Sequence, residues 1–241
     1  MSRFLSQLRT ELQLVARNGE QLLLTIGIPV LLLVFFSLVD VLPTGTDDPI
    51  DFLAPGVLAL AVMSTAMVSL GIGTGFERSY HVLKRLGTTP LGRGRLIAAK
   101  ISAVAVVELV QFAVLVPVAY ALGWSPGRVN VPAAIGAVLL GTMAFAGIGL
   151  TFAGRLRGEI NLAALNGLYL VLLLLGGMII SFDKLPAALR AGAHALPSGA
   201  LADLLRETLG GNGTQVATSW LVLSIWAVVT PLLAAKLFRW D

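Results

Sequence analysis

No cysteine occurs anywhere in the 241 residues. Disulfides, thiolate nucleophiles and Cys-ligated metal centres are therefore excluded. Histidine is nearly absent: the two residues, His81 and His194, fall on opposite sides of a membrane by the charge pattern described below. Charged residues are scarce, 12% of the chain against roughly 25% in an average soluble domain. The sequence has no G-x-x-x-x-G-K-[ST] phosphate-binding loop, and the glycines of Gly71-Ile72-Gly73-Thr74-Gly75 lie inside an apolar run. A chain without that loop is not expected to hydrolyse ATP by itself. The paired carboxylates, Ser/His pair or metal cluster that catalysis inside a membrane would need are also missing. No enzyme class is expected.

What is present is apolar and comes in blocks. Hydrophobic residues make up 56% of the chain, and mean hydropathy is +0.87. A helix crossing a bilayer needs about 20 apolar residues. Six runs reach that length: Leu22–Leu42, Phe52–Phe76, Leu96–Trp124, Val131–Gly154, Leu162–Phe182 and Val216–Phe238. They are rich in Leu, Val, Ala and Gly without polar alternation, so a β-barrel is not expected. The expected fold is an all-α integral membrane protein, a single transmembrane domain over residues 1–241. The formal charge of +4 and pI near 9.9 do not mark a nucleic-acid binder, because the basic residues sit at span ends, where they orient a membrane protein.

Short loops rich in Lys and Arg stay on the cytoplasmic side. By that rule Arg3, Arg9, Arg17, Arg155, Arg157, Lys236 and Arg239 fall inside, together with Arg78, Lys84, Arg85, Arg93, Arg95 and Lys100 of one loop. Arg128, Lys184, Arg190 and Arg206 fall outside, among Asp40, Asp47, Asp48, Asp51, Asp183, Asp203 and Glu207. Six spans with both ends inside are expected. Met1–Gln21 has no apolar core of the kind a signal peptide needs. Its Phe4, Leu5, Leu8, Leu12 and Val15 recur at helical spacing, so residues 1–20 read as a helix lying in the cytoplasmic interface and ending at Asn18-Gly19. Between spans five and six, Asp183–Gly213 is too long for an idle connector. Pro197 divides it into two short helices, an outer re-entrant hairpin with Ser198 as N-cap of the second.

The basic loop Glu77–Lys100 carries the strongest pattern. Phe76, Tyr80, Leu83 and Gly87 fall on one helical face, and Glu77, Arg78, His81, Lys84, Arg85 and Thr88 on the other. Thr89 precedes Pro90 and ends the helix. The expectation is a cytoplasmic docking helix over residues 77–91. Inside the spans, Glu108 is the one deeply placed acid, with Gln111 one turn away on the same face. The pair reads either as a polar patch on a substrate route or subunit contact, or as an interhelical hydrogen bond. A third use, ion-coupled transport through Glu108, is the rival to an ATP-driven mechanism. Asp47, Asp48 and Asp51 read as a solvated loop tip rather than a cation site. Gly71 with Gly75, and Gly147 with Gly149, read as helix-packing positions. Trp124, Trp220 and Trp240 read as interfacial anchors.

Glu77-Arg78, Leu83-Lys84-Arg85-Leu86 and Thr89-Pro90-Leu91 resemble the E-R-x-x-G-x-L-K-R-L-x-x-T-P-L signature of type-2 ATP-binding-cassette exporter permeases, the family of daunorubicin-resistance and polysaccharide-export membrane subunits. His81 stands where that family usually carries Gly. The resemblance covers the chain, including Pro29 in the first span and the Leu185-Pro186, Leu196-Pro197 and Leu205-Arg206 pairs of the outer segment. It implies a multi-pass permease in a bacterial plasma membrane, moving a lipophilic or amphiphilic compound (drug, lipid or glycolipid) outward. It implies a second permease chain, identical or related, and separate ATPase subunits that bind ATP and Mg. Glu77, Arg78, Leu83, Lys84, Arg85, Leu86, Thr89 and Pro90 would then couple to the ATPase, and Glu108 and Gln111 would lie on the route. No cofactor is expected in this chain.

Overall fold

A computed structural model of the chain describes residues 3–39, 49–87, 92–211 and 213–237. Every regular element among them is helical: α1 Arg3–Arg17, α2 Gly19–Leu38, α3 Pro49–Met63, a π-helical segment Ser64–Ser69, α4 Leu70–Ser79, α5 Val82–Gly87, α6 Arg93–Ala121, α7 Val131–Ala153, α8 Gly158–Leu175, α9 Ala187–His194, α10 Pro197–Gly210 and α11 Val216–Leu237, with one 3-10 turn at Phe182–Lys184. The all-helical expectation holds. The protein is a multi-pass membrane protein, and its helices are arranged inside out relative to a soluble one. Leu31, Leu109, Ile135, Leu170, Leu221 and Val228 are all more than half exposed, while Glu108, Gln111, Thr142 and Asn161 are buried. Lipid can cover the first group, whereas the second must find partners within the protein.

Among the described residues, five helical stretches are long and apolar enough to cross a bilayer: Pro49–Ser79, Gly94–Ala121, Val131–Ala153, Gly158–Leu175 and Val216–Leu237. The first expected span differs. Its helix begins earlier, at Gly19, and runs to Leu38, with Thr25–Leu38 as the apolar stretch among the described side chains. Residues 40–42 of that expectation lie outside the described residues. The second span is longer than its apolar run, since α3, the π segment and α4 form one rod of 31 residues. The fifth is shorter than expected. It stops at Leu175, where the Gly176-Gly177 pair follows and Gly177 adopts φ 62°, a conformation open to glycine at little cost.

α3, α7 and α10 form the centre. Every residue of α3 from Phe52 to Met63 is buried, and α7 packs along α11 and α4. The α7–α11 contact is backbone-close. A Cβ on Gly147 would lie 2.5 Å from Pro231 N, and Thr230 Oγ1 donates to Ala144 O at 2.7 Å. Gly71 meets Gly149 across α4 and α7, where an added Cβ would come within 2.9 Å of Gly149 Cα. These glycines are packing positions, as small residues in membrane helices commonly are.

The hairpin between spans five and six forms as two helices, α9 and α10. Pro197 is the first residue of α10, and Gly211, at φ 75°, closes it, the expected placement of both residue types. Ser198 is not the N-cap; that position is Leu196, and the Ser198 hydroxyl is buried. α10 does not lie at an interface with solvent, because Pro197 through Arg206 are buried against α3, α7 and α11. Arg206 holds it there. Its guanidinium lies 3.8 Å from the Phe52 ring centre and donates to Gly177 O and Met178 O. Trp124 is buried at 5% exposure, packed on Tyr120 with ring centres 5.3 Å apart, so it belongs to the core rather than an exposed belt. Trp240, Asp47 and Asp48 lie outside the described residues, and Asp51 Oδ1 accepts from Ser125 N at 3.3 Å.

Candidate coupling segment and membrane route

The docking segment is not one helix. α4 ends at Ser79, and α5 begins at Val82. Between them His81 sits at φ 59°, in the left-handed region that costs an L-residue about 1–2 kcal/mol. His81 N donates to Arg78 O at 2.9 Å, and His81 O accepts from Arg85 N at 3.2 Å. One residue therefore closes α4 and opens α5. The break reorients the expected face. Tyr80 is 70% exposed and stacks on Phe76, whereas Leu83 is wholly buried in the core. Leu86 is half-buried, and Lys84 and Arg85 are exposed. Thr88, Thr89, Pro90 and Leu91 lie outside the described residues.

Glu77 and Arg78 do not point away from the protein. Arg78 Nη1 donates to Ala153 O, the last carbonyl of α7, at 3.0 Å and to Leu156 O, in the turn just beyond, at 3.3 Å, at a helix end where a cation is favoured by the dipole. Ser79 Oγ accepts from Gly158 N at 3.0 Å, at the start of α8. Glu77 turns the other way. Lys100 Nζ on α6 lies 2.8 Å from the Glu77 carboxylate and 3.1 Å from Glu11 Oε2 on α1. Gln7 Nε2 donates to the second oxygen, Glu11 Oε1, at 2.7 Å. One lysine thus ties the first helix, the end of the long rod and the start of α6. Sequence reading placed Glu77 and Lys100 in one loop but missed their partnership with Glu11. A signal existed: Glu11 falls among Phe4, Leu8, Leu12 and Val15, on the face that turns inward, and a buried acid needs a counter-charge.

Glu108 and Gln111 share a helix but serve different neighbours. Gln111 is fully buried. It accepts from Thr65 Oγ1 of the π segment at 2.9 Å and donates to Thr25 O of α2 at 2.9 Å. Glu108 Oε2 accepts from Thr142 Oγ1 of α7 at 2.7 Å. Two cavities flank the π segment. One of about 410 Å³ lies between α1, α2, α4 and α6 and is lined by Glu11, Thr25, Thr65, Ser69, Glu77 and Lys100. Another of about 630 Å³ lies between α2, α4 and α8 and is lined by Thr25, Ser64, Ser69, Asn166 and Tyr169. Both are open enough and large enough for small molecules, and both border residues whose helical hydrogen-bond repeat is interrupted, a frequent mark of functional sites.

The family model of the ABC-2 type transporter matches residues 3–209. The chain belongs to that family. No curated protein matches it. As an ABC-2 type permease component it is not itself the ATPase, and the family implies an ABC ATPase partner. The match runs from the start of α1 to near the end of α10, so it takes in the cluster of Glu11, Glu77 and Lys100, the π segment and the α4–α5 break. Within this permease Glu77 and Arg78 bond to their own chain and staple the rod to α6 and α7, while Lys84 and Arg85 of α5 are exposed.

Proposed function

We propose that the chain is the membrane subunit of an ATP-driven exporter, with both ends on the cytoplasmic side and six spans including α2. It works with a second permease chain, identical or related, and with separate ATPase subunits that bind ATP and Mg. Its cargo is a lipophilic or amphiphilic compound. One observation carries this reading. α5 presents exposed Lys84 and Arg85, with exposed His81 just before it, while Leu83 roots it in the core. The helix that leads into it is continuous with a span, and Glu77 and Arg78 brace that helix against α6 and α7. Such an element is a rigid handle: force applied to α5 moves the long rod and, through Lys100, α1 and α6 with it. Gln111 connects α6 to the π segment between the two cavities, which makes that region the proposed route, with Glu108 beyond it on the α7 side.

The test is co-purification and cargo-stimulated ATP hydrolysis with Lys84→Glu/Arg85→Glu. Rim charges at an interface act chiefly through electrostatic complementarity and are salt-sensitive. The double variant, with its thermal midpoint in detergent compared with wild type as a control for folding, is expected to lose ATPase association at physiological salt and lose coupled turnover. Leu83→Asp is unsuitable for this purpose, because Leu83 is a core residue of the permease itself. Full association and turnover in the double variant would remove α5 as the handle. Export by the permease without any ATPase would move the assignment to ion-coupled transport through Glu108.

A further inference from the structure

A third concavity lies on the far side of α6 from the proposed route. It is a groove of about 360 Å³ between α6 and α7, with Leu205 and Leu209 of α10 at its back. Its walls are apolar: Leu109, Phe112, Val116, Ile135, Val138 and Leu139 are among them. Tyr120 and Trp124 form an aromatic pair at the end near the α6–α7 connection. Among the described lining residues Glu108 is the only carboxylic acid and there is no Lys, Arg or His; it lies toward the opposite end. Leu109, Ile135 and Leu139 are more than half exposed, so the groove opens sideways, toward the surrounding hydrocarbon.

Glu108 is the anomaly in this wall. Its residue exposure is 2%. Oε2 accepts from Thr142, while Oε1 is buried with no hydrogen-bond partner. An intramembrane acid is expensive and ordinarily pairs or serves a ligand. Other buried acids among the described residues are better partnered: Glu11 and Glu77 share Lys100, and Asp203 accepts from Thr214, Gln215 and Ser219. Glu108 has one hydroxyl. A lipophilic ligand carrying a cationic head would supply both the missing donor and the missing charge, and its chain would lie along the apolar wall toward Tyr120 and Trp124. From Glu108 to the end of α6 at Ala121 the helix rises roughly 20 Å at 1.5 Å per residue, so the groove suits an extended chain rather than a compact ring system.

We infer that the α6–α7 groove binds a single-chain lipophilic amine, its ammonium group on the unpartnered oxygen of Glu108 and its chain between α6 and α7. The site is entered from the membrane and stands apart from the cavities beside the π segment, so it holds whether or not an ATPase drives the chain. The ammonium group donates to Oε1 while Thr142 keeps Oε2, and a charge-assisted hydrogen bond of this kind is stronger than a neutral one.

The experiment uses the purified full chain in lipid nanodiscs with tritiated dodecylamine as probe, read by scintillation proximity, and unlabelled dodecylamine, dodecanol and dodecanoate as competitors. Saturable binding is expected, with dodecanol weaker by about tenfold or more and dodecanoate not competing. Glu108→Gln keeps the shape and the Thr142 contact and is expected to lose about tenfold in amine affinity, which removes the preference over dodecanol. Ala134→Phe fills the groove from α7 without touching Glu108 or Thr142 and is expected to abolish binding of amine and alcohol alike. Non-saturable uptake, equal competition by dodecanol, or wild-type amine binding in either variant would overturn the inference. None of these readouts involves ATP, so failure here is distinguishable from failure of the exporter assignment.

Discussion

Lys100→Met tests whether the three-way ion cluster is structural. The wild-type arrangement is asymmetric, with one cation and two carboxylates. Lys100 is 4% exposed, and the Glu11 and Glu77 side chains are 11% and 24% exposed. Methionine fills much of the lysine stem but strands two like charges against each other. Removing one partner of a buried pair costs about 3–5 kcal/mol. Partial exposure of Glu77 lets water screen its share, so about 3 kcal/mol is the expected loss. Removing one acid should be far milder. Glu11→Gln leaves Lys100 and Glu77 matched one to one and can still accept from Gln7, so its effect is expected within about 1 kcal/mol. The triple variant Glu11→Gln/Glu77→Gln/Lys100→Met has no charge left to strand and is expected near wild type. Thermal unfolding of the purified chain in one detergent gives the readout. At about 2–4 °C per kcal/mol for chains of this size, Lys100→Met should lower the midpoint by about 6–12 °C. A midpoint within about 2 °C of wild type would refute the reasoning, as would Glu11→Gln proving as damaging as Lys100→Met.

The remaining predictions concern single positions. His81→Gly removes the cost of a left-handed L-residue and is expected to raise stability by about 1 kcal/mol, whereas His81→Val should lower it; identical midpoints for all three would mean that the α4–α5 turn is not held at this φ. Asp203, in the hairpin outside the candidate spans, has its carboxyl pushed up by burial, but hydrogen bonds from Thr214 N, Gln215 N, Ser219 Oγ and Thr214 Oγ1 outweigh this and hold it below the usual carboxylate range. Its stabilisation is then complete above the ordinary carboxylate value of about 4 and lost as pH falls through the lower folded value. Asp203→Asn should be less stable at pH 7 and converge with wild type in acid, and parallel pH profiles would sink the assignment. The absence of native cysteine allows a test of topology: single cysteines at Asp48 and Ala191 are expected to react with an impermeant thiol reagent from outside, and those at Arg93 and Asp241 are not. Outside labelling at position 93 would invert the proposed orientation.

The helices were legible from the sequence because lipid imposes a length and a composition on each span: α7 runs Val131–Ala153, against an expected Val131–Gly154, and α11 begins at the expected Val216. Glycine pairs were legible as packing sites for the same reason. What was not legible was direction. The apolar pattern around Phe76, Tyr80, Leu83 and Gly87 is helical, yet a single residue at φ 59° divides the segment and turns Tyr80 out and Leu83 in. Glu11 went unnoticed because charge counting assigns it to an interfacial surface, while its partner is 89 residues away on α6. Gln111 was singled out, but its two partners, Thr65 and Thr25, come from helices that no local spacing rule connects. Residues 88–91 of the signature and the outer Asp47–Asp48 tip lie beyond the described residues.

The π segment gives the long rod a property that its hydropathy does not record. Each α-helical residue turns the chain by about 100°, and a π turn takes in one residue more than an α turn. Everything from Leu70 to Ser79 is therefore rotated about the rod axis relative to an unbroken α-helix from Pro49. That offset is what aims Gly71 at Gly149, Glu77 at Lys100 and Arg78 at the carbonyls of α7. The rod behaves as two keyed shafts, and the key is a residue count. A residue lost at the Pro49 end shortens the rod and leaves the keying intact. A residue lost between 64 and 69 takes no more from the length of the span, yet swings all three contacts off their partners.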